Sequence, residues 1–238
     1  MVWQLLGYVP ITATLVIKTG NHIGGNKDAV GVDELDLPVI FHPHNRQPYL
    51  PGSSIKGKMR SLSEYRLGLV KGEEEKGGKE SKGRDNKEVG SPHGCKSGDC
   101  LVCKIFGPHK LTDHLHGPSR LIVRDALLSK DSQNQWKEFK EERRPFTETK
   151  IENSINRATG ASAGSGQGGV REQERVPPGV TFDFVLSLRV FDGDDRKKIE
   201  EFIRTSLDWM QKDYLGGSGT RGYGWIELQN LNFGELEK

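Results

Sequence analysis

Between Phe182 and Tyr214 the chain changes its hydrophobic period once. Phe182, Phe184, Leu186, Leu188 and Val190 alternate with more polar neighbours, which predicts a strand with one buried face. Asp194 or Asp195 then stands where a helix N-cap belongs, and Ile199, Phe202, Ile203, Leu207, Met210 and Tyr214 recur at helical spacing. A strand and a helix that each carry one apolar face must bury both in a shared core, so this half dictates a helix layered on a sheet. The helix runs into Leu215-Gly-Gly-Ser-Gly-Thr-Arg-Gly-Tyr-Gly-Trp225, with five glycines from Gly216 to Gly224, and Trp225 to Leu228 predicts a closing strand. The glycine stretch is no P-loop, because no Gly-Lys-Ser/Thr ends it and its helix comes before it. It reads either as a flexible helix exit or as a loop whose amides, with Arg221, offer donors to phosphate.

The N-terminal half repeats the pattern. Ile11, Ala13, Leu15 and Ile17 share one face of a strand, and a second glycine turn, Thr19 to Gly25, follows it with His22, Gly24 and Gly25. His22 reads as a hydrogen-bonded turn residue, an RNA contact or a general base. Residues 26–34 are a polar loop, and Leu35 to Ile40 is extended because Pro38 disfavours helix before it. Asp28, Asp33, Glu34 and Asp36 make this region acidic: a solvated loop, or a carboxylate held beside a phosphate with or without a metal ion. Pro51 to Arg60 opens a helix with Ser53 or Ser54 as N-cap and Ile55, Met59, Leu62 and Leu69 on its buried side. Lys56, Lys58 and Arg60 crowd its start, where cations oppose the macrodipole unless an anion binds between them.

Only 33% of the 238 residues are apolar and 30 are glycine, so part of the chain lies outside any core. Residues 71–91 contain one apolar side chain, Val89, and are expected to be a disordered or extended charged insertion. All three cysteines follow at once in His93-Gly-Cys-Lys-Ser-Gly-Asp-Cys-Leu-Val-Cys103. Cys95, Cys100 and Cys103 with His93 make a closed Cys3His set suited to structural zinc, with His109, His114 or His116 as alternative fourth ligands. A net charge of +2 does not by itself announce a nucleic-acid binder, so basic residues would have to gather on one surface. Neither a membrane-spanning run nor a signal-peptide pattern is present, and a cytoplasmic protein is expected.

Ser119 to Leu128 predicts a buried strand with Arg120, Arg124 and Asp125 projecting around it. Glu148 to Arg157, the Gly160 to Gly169 loop and Arg171 to Pro178 together predict a hairpin arm with a mobile tip. Lys150 and Arg157 would let the arm lie against a polyanion, and a plain surface hairpin fits the pattern equally. Without insertions the order is strand, helix, strand, hairpin, strand, helix, strand. That is the α+β, ferredoxin-like (RRM-like) βαββαβ plan.

Six segments, in order, resemble the motifs of RAMP-superfamily proteins: His22 to Gly25, Asp36 to Ile40, Pro51 to Arg60, Arg120 to Asp125, Glu148 to Arg157 and Gly216 to Gly224. Pro-Gly-Ser-Ser and Glu-Thr-Lys together resemble the backbone subunit of type III-A CRISPR effector (Csm) complexes. The resemblance implies a palm split by a zinc-binding insertion and a thumb hairpin. The expected segments are residues 1–70 (first half of the palm, with acidic loop and basic helix), 71–118 (charged stretch and zinc insertion), 119–147 (palm strand and connection), 148–180 (thumb) and 181–238 (second half of the palm, with the glycine loop).

It also implies an endoribonuclease that stacks with copies of itself along guide CRISPR RNA, beside other Csm subunits, and cuts paired single-stranded target RNA at regular intervals with Mg2+ or Mn2+. Asp36 matches the catalytic aspartate, with Asp33 second. His22, Gly24, Gly25, Ser53, Ser54, Lys56, Lys58, Arg60, Arg124, Lys150, Arg157, Gly217 and Arg221 are the expected RNA contacts. Two alternatives share the motifs: a metal-independent RAMP nuclease that processes guide precursor through His22, and a non-catalytic RNA-coating subunit.

Overall fold

The computed structural model describes residues 2–24, 37–70, 90–162 and 169–238. The longest strand, β1 (Leu5–Ile17), is followed by helix α1 (Gly52–Arg66) and a single helical turn and a half, α2 (Leu101–Phe106). Short strands β2 (Leu121–Val123) and β3 (Leu127–Leu128) lead to α3 (Lys130–Glu141), then the paired strands β4 (Glu148–Asn153) and β5 (Val170–Arg175). Strand β6 (Thr181–Phe191), helix α4 (Arg196–Lys212) and strand β7 (Ile226–Phe233) complete the chain.

The main sheet runs β2-β6-β1-β7, with β3 also on β6, and every pairing is antiparallel. The register sets Val9 opposite Leu188, Ile11 opposite Leu186, Ala13 opposite Phe184 and Leu15 opposite Phe182, so the two alternating stripes face the same way. Against that face lie Ile55 and Met59 of α1 and Ile199, Ile203, Leu207 and Met210 of α4, all buried in one core. The helices approach closely where Ser63 and Ser206 bring their hydroxyls to 3.0 Å. Both periodic segments of the C-terminal half thus form as their spacing predicts; Tyr214 lies just beyond the end of its helix.

Four local expectations need correction. The α1 N-cap is Pro51, with no side-chain cap; instead the Gly52 N–H donates to Asp125 Oδ1 at 2.7 Å from across the fold. A side chain at Gly52 could not be accommodated, since its Cβ would lie 2.6 Å from the Val123 carbonyl. The strand expected over 119–128 breaks into β2 and β3, because Ala126 turns to pair with Leu50. Helix α3, in the stretch expected only as a connection, is capped by Ser129 accepting from Ser132 N and buries only Ser132. Arg120 does not project into solvent.

Arg120 and Asp194 form a two-pronged pair, Nε to Oδ2 and Nη2 to Oδ1 both at 2.8 Å, with side chains 0% and 2% exposed. Arg120 Nη1 also donates to the carbonyls of His116, at 2.8 Å, and Pro118. Trp3 and Phe191 flank the guanidinium at 5.0 and 4.7 Å. Capping of α4 falls to Asp195, which accepts from Lys198 N at 3.1 Å. Removing one member of such a pair leaves a buried charge alone, so Asp194→Ala is expected to cost about 3–5 kcal/mol in chemical denaturation. The exposed Asp208→Ala, which breaks a surface pair with Lys212, should change stability by less than about 1 kcal/mol.

Candidate nucleic-acid interface and metal centre

The two glycine turns meet. Gly217 N donates to the His22 carbonyl at 2.8 Å, Asn21 Nδ2 donates to the Leu215 carbonyl at 2.8 Å, and Gly224 N donates to the Gly20 carbonyl at 3.1 Å. Gly216 sits at φ +91°, and a Cβ there would fall 2.4 Å from the His22 carbonyl oxygen. The two turns and the first half of α1 enclose an open groove of about 470 Å³, lined by Ile23, Gly24, Ser54, Gly57, Lys58, Ser61, Tyr214, Gly216 and Gly217. Six of the nine lining residues are glycine or serine, and Ile23, Lys58 and Tyr214 supply the larger side chains. One ammonium enters it: Lys58 Nζ lies 3.4 Å over the Tyr214 ring and 3.0 Å from Asp213.

Four expected contacts, Gly24, Ser54, Lys58 and Gly217, therefore share this groove. His22 lies behind it, 6% exposed. Its Nδ1 is 2.7 Å from the Glu174 carbonyl. A carbonyl only accepts, so Nδ1 carries the proton and Nε2 is left on the side of Gly24. Lys56 and Arg60 are not brought to the groove with Lys58. Burial, with Arg60 and Arg189 nearby, pulls the Lys56 ammonium below its ordinary pKa, and Arg60 is committed to Glu64. Ser53 is exposed in the first turn of α1, Arg124 at the end of β2, and Arg157 in the turn beyond β4.

The hairpin β4–β5 is present, in register from Glu148 opposite Arg175 to Asn153 opposite Val170, and it docks on the glycine loop. Gln173 Oε1 accepts from Ser218 Oγ at 3.1 Å, and Arg221 pairs with Glu152 at 3.0 Å while staying 52% exposed. Lys150 sits 4.4 Å from the Tyr223 ring and donates to the Arg221 carbonyl at 3.5 Å. Burial, then the Glu152 carboxylate beside it, pushes the Tyr223 hydroxyl up to about 12.

Asp33, Asp36 and Gly25 lie outside the described residues. Leu37, the covalent neighbour of Asp36, accepts from Glu174 N at 3.0 Å, and Ile40 N donates to the Ile23 carbonyl at 2.9 Å. Glu174, 7% exposed, accepts from Val39 N at 2.8 Å and from Thr147 Oγ1 at 2.5 Å. It joins the hairpin to the segment after the acidic loop. Sequence reasoning missed it because in Arg-Glu-Gln-Glu-Arg it looks like any strand polar residue.

In the insertion, the donor atoms of His93, Cys95, Cys100 and Cys103 all lie within 4.8 Å of one another. Cys100 precedes α2 and Cys103 falls in its first turn. The Cys95 and Cys103 sulfurs are 3.8 Å apart. A tetrahedral ion with metal–sulfur bonds of about 2.3 Å sets its sulfurs roughly 3.8 Å apart, so the cluster fits a metal ion. Burial raises the Cys95 thiol and pushes Cys103 up to about 12, which keeps both protonated until a cation draws the protons off. His116, completely buried, holds Nε2 2.8 Å from the Cys95 carbonyl.

Residues 14–227 match the RAMP superfamily, and the chain belongs to it. Within it, the chain is 38% identical to a protein of Methanothermobacter thermautotrophicus named CRISPR system Cms endoribonuclease Csm3, over 94% of this chain and 85% of the relative. Proteins of the same name from Methanocaldococcus jannaschii and Enterococcus italicus are 37% and 34% identical, over 95% and 92% of this chain and 81% and 89% of theirs. Among solved structures, a Csm3–Csm4 subcomplex of the type III-A CRISPR-Cas interference complex matches with a TM-score of 0.54 at 25% identity, over 96% of this chain and 78% of that one. The type III-B Cmr-beta complex bound to cognate target RNA matches in fold, with a TM-score of 0.60 at 18% identity over 97% and 62%.

Gly216→Ala and Gly222→Ala separate backbone strain from close approach. Both positions have positive φ, but a Cβ at Gly222 meets nothing within 4 Å. Gly222→Ala is expected to cost about 1–2 kcal/mol from the left-handed conformation alone. Gly216→Ala should cost more, because the His22 carbonyl must also move, and thermal unfolding of the two variants reads the difference.

Proposed function

We propose that this chain is the repeating backbone subunit of a type III-A CRISPR interference complex, binding guide CRISPR RNA and cutting complementary target RNA at regular intervals. The observation that carries the reading is the groove between the two glycine turns and α1, in a RAMP chain whose relatives are named endoribonucleases. Its lining of glycines, serines and one lysine suits a phosphodiester backbone, because small residues let the strand approach closely and hydroxyls with a cation hold phosphate without reading a base. Sequence readout is then left to pairing between guide and target, as in other guided systems.

The strand order β2-β6-β1-β7 supports a ferredoxin-like palm, with β1, β2, β6 and β7 as its four strands and α1 and α4 as its helices. The β4–β5 hairpin is the proposed thumb, and Lys150 and Arg157 on it, with Arg221 of the glycine loop against it, are its proposed RNA contacts. Successive copies along one guide, with other Csm subunits at hand, would place one cutting site per subunit.

Asp36 is the proposed catalytic carboxylate, and Asp33 the second candidate. Its role is to orient the target 2′-hydroxyl toward the neighbouring phosphorus once the duplex is locally distorted. Mg2+ or Mn2+, held jointly by that carboxylate and RNA phosphates, would supply charge neutralisation at the scissile phosphate. The burial of His22 and its bond to the Glu174 carbonyl favour this over a histidine-based nuclease. The assembled complex, given labelled matched RNA, should cut at evenly spaced positions; Asp36→Ala should remove every cut while guide binding persists. Unchanged cutting in Asp36→Ala, with loss in Asp33→Ala, would move the assignment to Asp33, and cutting in both would reject it.

The Cys3His set is proposed to hold one structural zinc, with no ligand position left for water. Elemental analysis of the purified chain should give one zinc per molecule. Cys103→Ser should lose it and lower the thermal stability of the fold.

A further inference from the structure

Arg60 and Glu64 sit on the helix that lines the groove but point away from it. Glu64 Oε1 accepts from Arg60 Nε at 2.7 Å and from the His93 backbone N–H at 2.9 Å. Arg60 Nη2 donates to the His93 carbonyl at 2.5 Å, which also accepts from His109 N at 3.4 Å. The side chains of Arg60 and Glu64 are 17% and 6% exposed. One mostly buried ion pair on successive turns of α1 thus grips both the N–H and the C=O of His93, a donor of the metal-binding cluster. The Cys103 thiol lies 3.9 Å from the same carbonyl.

An ordinary i,i+4 pair on a helix surface would stay solvated and bond to nothing beyond its own helix. Here the pair gives up solvent to hold the peptide of a ligand residue, and partners of that kind govern how well a metal is held. The same helix turns Ser54, Lys58 and Ser61 toward the groove. One helix therefore borders both the metal-ligand cluster and the groove.

We propose that Arg60 and Glu64 are the outer clamp of the metal centre, and that through them zinc loading and RNA binding are linked across α1. Arg60 is then a positioning residue for the metal site instead of an RNA contact. The linkage rests on the zinc and RNA readings above. It is reciprocal: bound zinc raises RNA affinity and bound RNA raises zinc affinity by the same factor.

The test measures zinc affinity by competition with a chromophoric chelator in the full-length chain, for wild type, Arg60→Met, the isosteric Glu64→Gln, and the exposed neighbour Tyr65→Phe. Zinc binding should weaken about 10–100-fold in the two clamp variants and stay unchanged in Tyr65→Phe. Binding of a single-stranded RNA of guide sequence is then compared with and without zinc. Stripping zinc should weaken wild-type binding roughly 5–150-fold, whereas the clamp variants should respond little to zinc. Far-UV circular dichroism of Glu64→Gln checks that α1 persists. Unaltered zinc affinity in both clamp variants, or wild-type RNA affinity indifferent to zinc, overturns the proposal. A wild-type chain that takes up no zinc overturns the metal reading along with it. Zinc uptake without RNA binding in either state overturns the RNA reading and the linkage, which the zinc arm alone cannot rescue.

Discussion

The carbonyl of His22 and the amide of Gly217, 2.8 Å apart, hold together two parts of the chain nearly two hundred residues distant in sequence. Around that contact the backbones run so close that no Cβ fits at Gly216, and the Asn21 side chain must bridge to the Leu215 carbonyl. The groove exists because two backbones meet without side chains between them. Four of its nine lining residues are glycines, which keep it open between Lys58 and Tyr214. The docking of β4–β5 follows from the same contact, since Ser218, Arg221 and Tyr223 meet Gln173, Glu152 and Lys150 only when the glycine loop is fixed.

Helix α1 is where the fold and the insertion become one unit. Its apolar stripe belongs to the core, its first turns line the groove, and its Arg60–Glu64 pair holds the peptide of His93. At the other end of the insertion Arg120, locked on Asp194, takes the carbonyls of His116 and Pro118. Two arginines therefore tie the insertion to the fold by its backbone, beside Val102, Ile105 and Phe106, which enter the core directly. Burying a guanidinium group is costly unless its donors are used: Arg120 bonds through Nε, Nη1 and Nη2, and Arg60, which keeps some solvent exposure, through Nε and Nη2.

How much was legible depended on whether a residue's role is local. The period-2 stripe at Phe182 to Val190 and the helical stripe from Ile199 to Met210 were readable because pleat and helix repeat their own geometry. The cysteine spacing was readable because a metal site of this kind wraps tightly. Helix α3 was not, since its side chains are polar nearly all round and its start depends on one serine. The cap of α1 was not, because Asp125 acts across 73 residues of sequence. Basic residues gave the weakest signal. Lys56, Lys58 and Arg60 form one cluster in sequence, but a helix turns about 100° per residue, so Lys58 enters the groove while Arg60 faces the insertion.

The sequence by itself determined the order of the principal strands and helices, the presence of a hairpin arm, the clustering of the three cysteines in the insertion and the family motifs. These follow from periodicity, turn chemistry and spacing, all short-range. Only the tertiary structure decided which charges line the groove and which serve the protein. It sent Arg120 into the core, gave Arg60 and Glu64 to the backbone of His93, and set Glu174 as the tie between the hairpin and the segment beginning at Leu37. A charged side chain is long and solvates readily, so its partner is chosen by whatever the fold brings within 3 Å, and no local pattern in the chain records that choice.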